Sequence, residues 1–171
     1  MTIPRLSVTE YTVLGLLAEG PRHGFALSKE LDSDSEVGRV FVVRRPLVYR
    51  AIDRLVDAGY AEPRSTEKGE GPKRIVYQTT PDGLHRLEGW LTEPVEHIRD
   101  LRIEFLLKLA LLQRSGRSPL GLIREQRSAL DDKLRALEHQ SATPPDHVGL
   151  WRRHNASAAA SYLEELERMY P

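Results

Sequence analysis

The chain has no cysteine, which excludes disulfides, thiolate zinc sites and cysteine nucleophiles and fits a reducing compartment. It also has no excess of charge of either sign, since Lys plus Arg and Asp plus Glu are both 25 among 171 residues. The chain as a whole therefore offers no electrostatic attraction to a polyanion. Long apolar runs are missing too: Lys108 or another polar residue interrupts each of them within a few positions, which excludes a membrane-spanning helix. Met1-Thr2-Ile3-Pro4-Arg5 is not a charged segment leading into an apolar one, so the sequence predicts no signal peptide and a cytoplasmic protein with no membrane partner. The length suffices for one domain of good size or two small ones.

What is present is most informative between Arg44 and Tyr60. At about 100° per residue, Val48, Ile52, Leu55 and Val56 share one face of a helix, while Arg50, Arg54 and Asp57 share the opposite one. Pro46 suits a first turn and Gly59 the position just past the end, so the spacing predicts a helix over 46–58. Its arginine face makes it a candidate recognition helix. Tyr60-Ala61-Glu62-Pro63-Arg64 and Arg74-Ile75-Val76-Tyr77-Gln78-Thr79 read as strands flanking a polar, Gly-rich loop over 66–73, which completes a winged helix. Thr80-Pro81-Asp82-Gly83 opens a further helix to about Leu91, with Thr80 as N-cap.

Upstream, Ser7-Val8-Thr9-Glu10 is a capping-box pattern heading a first helix that Gly20-Pro21 ends. A second helix is predicted over about 23–31, and with the third it forms a helix-turn-helix core. Val40-Phe41-Val42-Val43 is β-branched enough to predict a short strand beside the hairpin.

After Glu93-Pro94 the pattern changes to helices without strands. Residues 98–112 are apolar nearly all round in their middle and must be buried on several sides. Helices over about 118–139 and 146–169 follow, separated by Ser141-Ala142-Thr143-Pro144-Pro145. The last carries a broad seam of Trp151, Asn155, Ala158, Ala159, Tyr162, Leu166 and Met169. The fold class is therefore mainly α with a small β-hairpin, an N-terminal winged helix-turn-helix over 1–93 followed by a helical domain over 94–171.

Local charge restores some affinity for nucleic acid. Residues 44–86 hold nine Lys or Arg (44, 45, 50, 54, 64, 68, 73, 74, 86) against six Asp or Glu (53, 57, 62, 67, 70, 82). Lys73 and Arg74 flank the wing tip, where they neutralise phosphates or simply keep the hairpin soluble. Asp53 and Asp57 are alternative, intrahelical partners for Arg50 and Arg54. No catalytic constellation stands out: Ser, His and Asp are scattered, and Gly69-Glu70-Gly71-Pro72-Lys73 lacks the length and hydroxyl of a phosphate loop. His147 and His154 are seven apart with no third ligand at metal spacing. The expectation is a protein that is not an enzyme and has no metal or cofactor.

Three segments together resemble the PadR family of bacterial transcription regulators, in its longer branch with a helical C-terminal dimerisation domain. They are Leu14-Gly15-Leu16-Leu17-Ala18-Glu19-Gly20-Pro21-Arg22-His23-Gly24-Phe25, the run from Val48 to Tyr60, and the run from Lys73 to Gly83. Leu101 to Leu109 looks like the opening of the family's dimerisation domain. The resemblance implies a homodimer placing two winged helices on a pseudo-palindromic operator in double-stranded DNA, usually as a repressor, and often released by a small molecule. On this reading DNA is bound by Arg44, Arg45, Leu47, Tyr49, Arg50, Arg54, Lys73 and Arg74, with the Tyr49 hydroxyl on a phosphate as the family uses its matching tyrosine. Arg44-Arg45-Pro46-Leu47 departs from the Ser, Thr or Gly that usually opens the recognition helix. A small aromatic or phenolic effector is expected near Trp90, Phe105, Trp151 and Tyr162, between the winged helix and the C-terminal helices. The alternative is a winged helix that serves as a protein-interaction module without sequence-specific DNA binding.

Overall fold

Ser7 heads the first helix, α1 (Val8–Ala18). Its hydroxyl accepts from the Glu10 amide at 3.3 Å, and the Glu10 carboxylate accepts from the Ser7 amide at 2.7 Å, which closes the capping box. The computed structural model describes residues 6–67, 73–138 and 146–170. The chain divides into two compact units, Met1–Leu91 and Thr92–Pro171.

In the first unit α1 is buried from Tyr11 to Leu17 and forms the centre of the core. Packed on it are α2 (Gly24–Glu30), α3 (Arg45–Asp57) and a three-stranded antiparallel sheet. The strands are β1 (Arg22–His23), β2 (Ala61–Glu67) and β3 (Arg74–Thr79), in the order β1-β3-β2. β3 pairs Tyr77 with Arg22 and Val76 with His23 on one side, and runs along all of β2 on the other. The ladder to β2 slips between Pro63 and Ser65, leaving Arg64 as the extra residue of a bulge. Pro63 sits on this edge strand, where a missing N–H costs least.

The third strand is not the one expected at residues 40–43. That segment is irregular, Val43 is buried, and its N–H bonds to the Leu31 carbonyl at 3.1 Å instead of joining a ladder. The preceding residues wind tightly through Ser35 N–H to Asp32 O at 3.0 Å and Arg39 N–H to Ser35 O at 2.9 Å. Val43 is the buried residue of this segment while Val42 is exposed, and the sheet position goes to Arg22–His23.

α3 begins one residue earlier than its spacing predicts and ends at Gly59, which adopts φ 75°. The Gly59 N–H returns to the Val56 carbonyl at 3.0 Å and the Tyr60 N–H to Leu55 at 2.8 Å, a Schellman ending. Next comes α4 (Pro81–Thr92), with the Thr80 hydroxyl accepting from the Gly83 amide at 3.1 Å. Its start lies so close to the hairpin base that a Cβ on Gly83 would come within 2.1 Å of the Tyr60 carbonyl oxygen.

The second unit holds a 3₁₀ turn (Ile98–Arg102), α5 (Glu104–Arg114), α6 (Leu120–Glu138) and α7 (His147–Met169). The single helix expected from residue 98 is broken at Ile103, whose φ −120° and ψ −67° are not helical. α6 and α7 pack together, with Ile123, Leu130 and Leu134 buried on one and Ala156, Ala159, Leu163 and Leu166 on the other. Buried Gln126 accepts from the Val95 amide at 2.7 Å and donates to the Val95 carbonyl at 3.0 Å, satisfying both ends of its side chain. The predicted break at 141–145 and the tip of the polar loop, 68–72, lie outside the described residues. No helix among the described residues is long and apolar enough to cross a membrane.

Candidate nucleic-acid interface

The amphipathic split of α3 is realised as the sequence spacing demands. Val48, Ala51, Ile52 and Leu55 are buried, while Arg44, Arg45, Leu47, Tyr49, Arg50, Asp53 and Arg54 are exposed. Leu47 is 50% exposed, which puts an apolar group amid cations. No side chain caps α3, and its first turn contains no acid. Two arginines at the positive end of a helix dipole are unfavourable by a few tenths of a kcal/mol each, roughly, unless an anion joins them.

The arginines of α3 divide by their partners. Arg50 has no ion pair among the described residues, so neither Asp53 nor Asp57 holds it. Arg54 is engaged: its Nε lies 3.0 Å from Oε1 of Glu10, which spacing on α3 alone does not reveal. Arg45 turns toward α2, with its guanidinium 5.1 Å from the ring centre of Phe25 and 5.7 Å from that of Tyr49.

Lys73 and Arg74 come to the same place from the hairpin. With His23, Gly24, Phe25, Arg45, Tyr49, Ile75 and Tyr77 they line an open cleft of about 370 Å³ beside the head of α3. Arg74 lies 5.4 Å from the Phe25 ring centre and Lys29 5.9 Å. Tyr49 is wedged against Gly24, where a Cβ would come within 2.7 Å of Tyr49 Cε1. Glycine is needed there for the ring to approach. His23 caps α2 with Nδ1 accepting from the Ala26 amide at 3.0 Å, which leaves Nε2 as the nitrogen that carries a proton. Burial raises the Tyr77 phenol above its usual range, and the Asp53 carboxylate adds to the effect. His23 and Phe25 are members of this cleft that sequence spacing did not single out, because α2 reaches it only through the tertiary fold.

The four aromatic residues expected around an effector fall in both units. Trp90 is buried in the first and stacks on Tyr11, with ring centres 4.6 Å apart and planes 5° from parallel. In the second, Phe105 is fully buried, Tyr162 is half-buried with its phenol pKa raised by burial, and Trp151 is 69% exposed.

Known proteins share sequence and fold with this chain. The negative transcriptional regulator PadR of Bacillus subtilis (strain 168) is 25% identical over 134 residues, which span 78% of this chain and 72% of that protein. The crystal structure of Bacillus subtilis PadR in complex with operator DNA superposes with a TM-score of 0.50 at 23% identity, covering 96% of this chain and all of that one. The same protein in complex with p-coumaric acid gives 0.47 at 22% identity, covering 96% of this chain and 99% of that one. Residues 13–89, which hold the later part of α1, all of α2 and α3, the sheet and most of α4, match the transcriptional regulator PadR-like family. Through this winged helix the chain is similar to the PadR-like family of transcriptional regulators.

Proposed function

We propose that the chain is a dimeric DNA-binding repressor whose α3 enters the major groove and whose β2–β3 hairpin lies along the backbone. The observation that carries this reading is the convergence of Arg45 from α3 with Lys73 and Arg74 from the hairpin on one exposed cleft, beside an Arg50 that no carboxylate among the described residues holds. Such a surface suits a phosphate backbone followed by base edges. Arg44, Arg45, Tyr49, Lys73 and Arg74 are its phosphate contacts, and Arg50 and Leu47 its groove contacts. Arg54, engaged by Glu10, enters as a support of α3 more than as a contact. The name of the Bacillus subtilis relative, a negative regulator, supports repression over activation.

Dimerisation is assigned to the second unit. α7 has two apolar stripes about 100° apart, one packed on α6 and one carrying exposed Trp151, Ala158 and Met169 with half-buried Tyr162. The seam read from the sequence is largely this second stripe. A second copy would cover it, and two-fold pairing would set the recognition helices about 34 Å apart, one helical turn of DNA. α5 does not carry the dimer argument as expected from its sequence, because Phe105 and Leu107 to Leu112 are already buried in the single chain.

Release by a small aromatic or phenolic ligand completes the proposal. It rests on the family resemblance; Trp151 and Tyr162 keep surface to meet a ligand, whereas Trp90 and Phe105 are taken up in packing. The test of the whole reading is sequencing of DNA crosslinked to the full chain, followed by gel shift on the recovered fragments. Recovery of no enriched sequence, with no shifted band, would return the winged helix to a protein-interaction role.

A further inference from the structure

Phe25 lies outside the recognition helix and the wing, yet cations from both converge on its ring. Arg45 comes from the first turn of α3 and Arg74 from the start of β3, at 5.1 and 5.4 Å from the ring centre. Each is within the roughly 6 Å over which a ring face attracts a guanidinium. Lys29, one turn further along α2, stands at 5.9 Å, but it also meets Asp32 at 4.0 Å. Among the described residues, neither Arg45 nor Arg74 has a carboxylate within ion-pair distance. Two like charges are thus drawn to one ring with no carboxylate among the described residues within ion-pair distance to offset them.

From this geometry we infer that Phe25 is a positioning residue that makes Arg45 and Arg74 into a single phosphate-binding pair. The ring supplies what neither arginine has alone: a flat, half-buried platform that would limit guanidinium rotation beside the open cleft that both arginines line with His23, Tyr49 and Lys73. Arginine side chains lose much rotamer freedom on binding, and stacking removes part of that loss beforehand. The pair would also join the head of α3 to the wing, so one backbone phosphate fixes both elements at once. The source of that phosphate, the DNA backbone, rests on the function proposed above.

The test follows the side-chain Nε–Hε signals of the two arginines in the full chain by NMR, with inorganic phosphate as the probe, and in parallel the salt dependence of duplex binding. In the parent, both Hε signals should lie upfield through the ring current and both should move together as phosphate is added. Phe25→Leu should abolish the upfield shift, weaken binding of operator and random duplex alike by about tenfold, and reduce the slope of log affinity against log salt by roughly one. Phe25→Tyr, which keeps the ring, should restore all three. Should Phe25→Leu not fold, Arg45→Ala and Arg74→Ala carry the same test, since each should weaken the phosphate response at the other arginine. Arginines that respond to phosphate independently, or a folded Phe25→Leu with the parent's affinity and slope, would overturn the pair. A parent that takes phosphate at both arginines yet binds no duplex would remove the DNA reading and leave the pair standing.

Discussion

Arg54 of α3 and Glu10 of α1 form an ion pair of 3.0 Å in which the arginine side chain is 52% exposed and the carboxylate only 4%. The other carboxylate oxygen closes the capping box on the Ser7 amide, so one buried acid serves both the head of α1 and the outer face of α3.

Removing the arginine leaves that acid buried with half its partners. Arg54→Ala should therefore lower unfolding stability by about 1 to 2 kcal/mol, the cost of an unsatisfied buried group moderated by the arginine's exposure. Arg50→Ala, which breaks no pair, should stay within about 0.5 kcal/mol of the parent. Urea unfolding of both variants checks this, and equal midpoints would show that the Glu10 pair contributes nothing.

The opposite order is expected for DNA. Arg50 stands near the centre of the exposed face of α3, and a guanidinium fork matches the O6 and N7 acceptors of guanine. Arg50→Ala should lose roughly 1 to 3 kcal/mol on the operator and relax specificity at one position per half-site. Competition binding against single-base operator variants reads this out; a variant that ranks all of them as the parent does would take Arg50 off the bases.

Trp151 would report directly on the proposed dimer. It is exposed in the single chain whereas Trp90 is buried against Tyr11, so a Trp90→Phe chain emits from Trp151 alone. Its emission should shift to the red on dilution as dimers separate, and Trp151→Asp should give a folded monomer by light scattering. Emission that is red and independent of concentration, with a dimeric Trp151→Asp, would place the interface elsewhere.

Lys108 makes stability depend on alkaline pH. Its ammonium is 1% exposed, 3.2 Å from Glu104 and donating to the Glu93 carbonyl at 2.6 Å. Burial holds its pKa below the usual 10.5, against the opposing effect of Glu104. The unfolded chain thus binds this proton more tightly, and the contribution of Lys108 to stability grows as pH rises from its lowered folded pKa to 10.5. Relative to Lys108→Met, the parent should gain stability as pH rises toward 10.5; a difference independent of pH would mean that burial costs the charged form nothing.

Most of the first unit could be read from local signals, because each was a single-element signal: Ser7 and Glu10 for the cap, Gly59 for the end of α3, Thr80 for the start of α4. What escaped was set by tertiary contacts. Residues 40–43 have strand-like composition, but the ladder position beside β3 is filled by Arg22–His23, whose two residues carry no strand signal at all. Likewise the arginine face of α3 was visible as a face, whereas the division of labour along it depends on Glu10 and Phe25 in other helices. In α7 the periodicity showed apolar breadth without telling which stripe α6 takes.

The Tyr60 carbonyl is where the recognition helix stops being free to move by itself. It accepts from the Thr80 amide at 3.1 Å and the Thr79 hydroxyl at 3.3 Å, while the Thr80 hydroxyl donates to the Gly59 carbonyl at 2.7 Å. With no room for even a methyl group between Gly83 and that oxygen, the joint has no slack. α4 is then the handle of a lever whose short arm is the C-terminal end of α3: a turn of α4 about its first residues must be delivered to the helix that faces the DNA in the proposed complex, undiminished by play at the hinge.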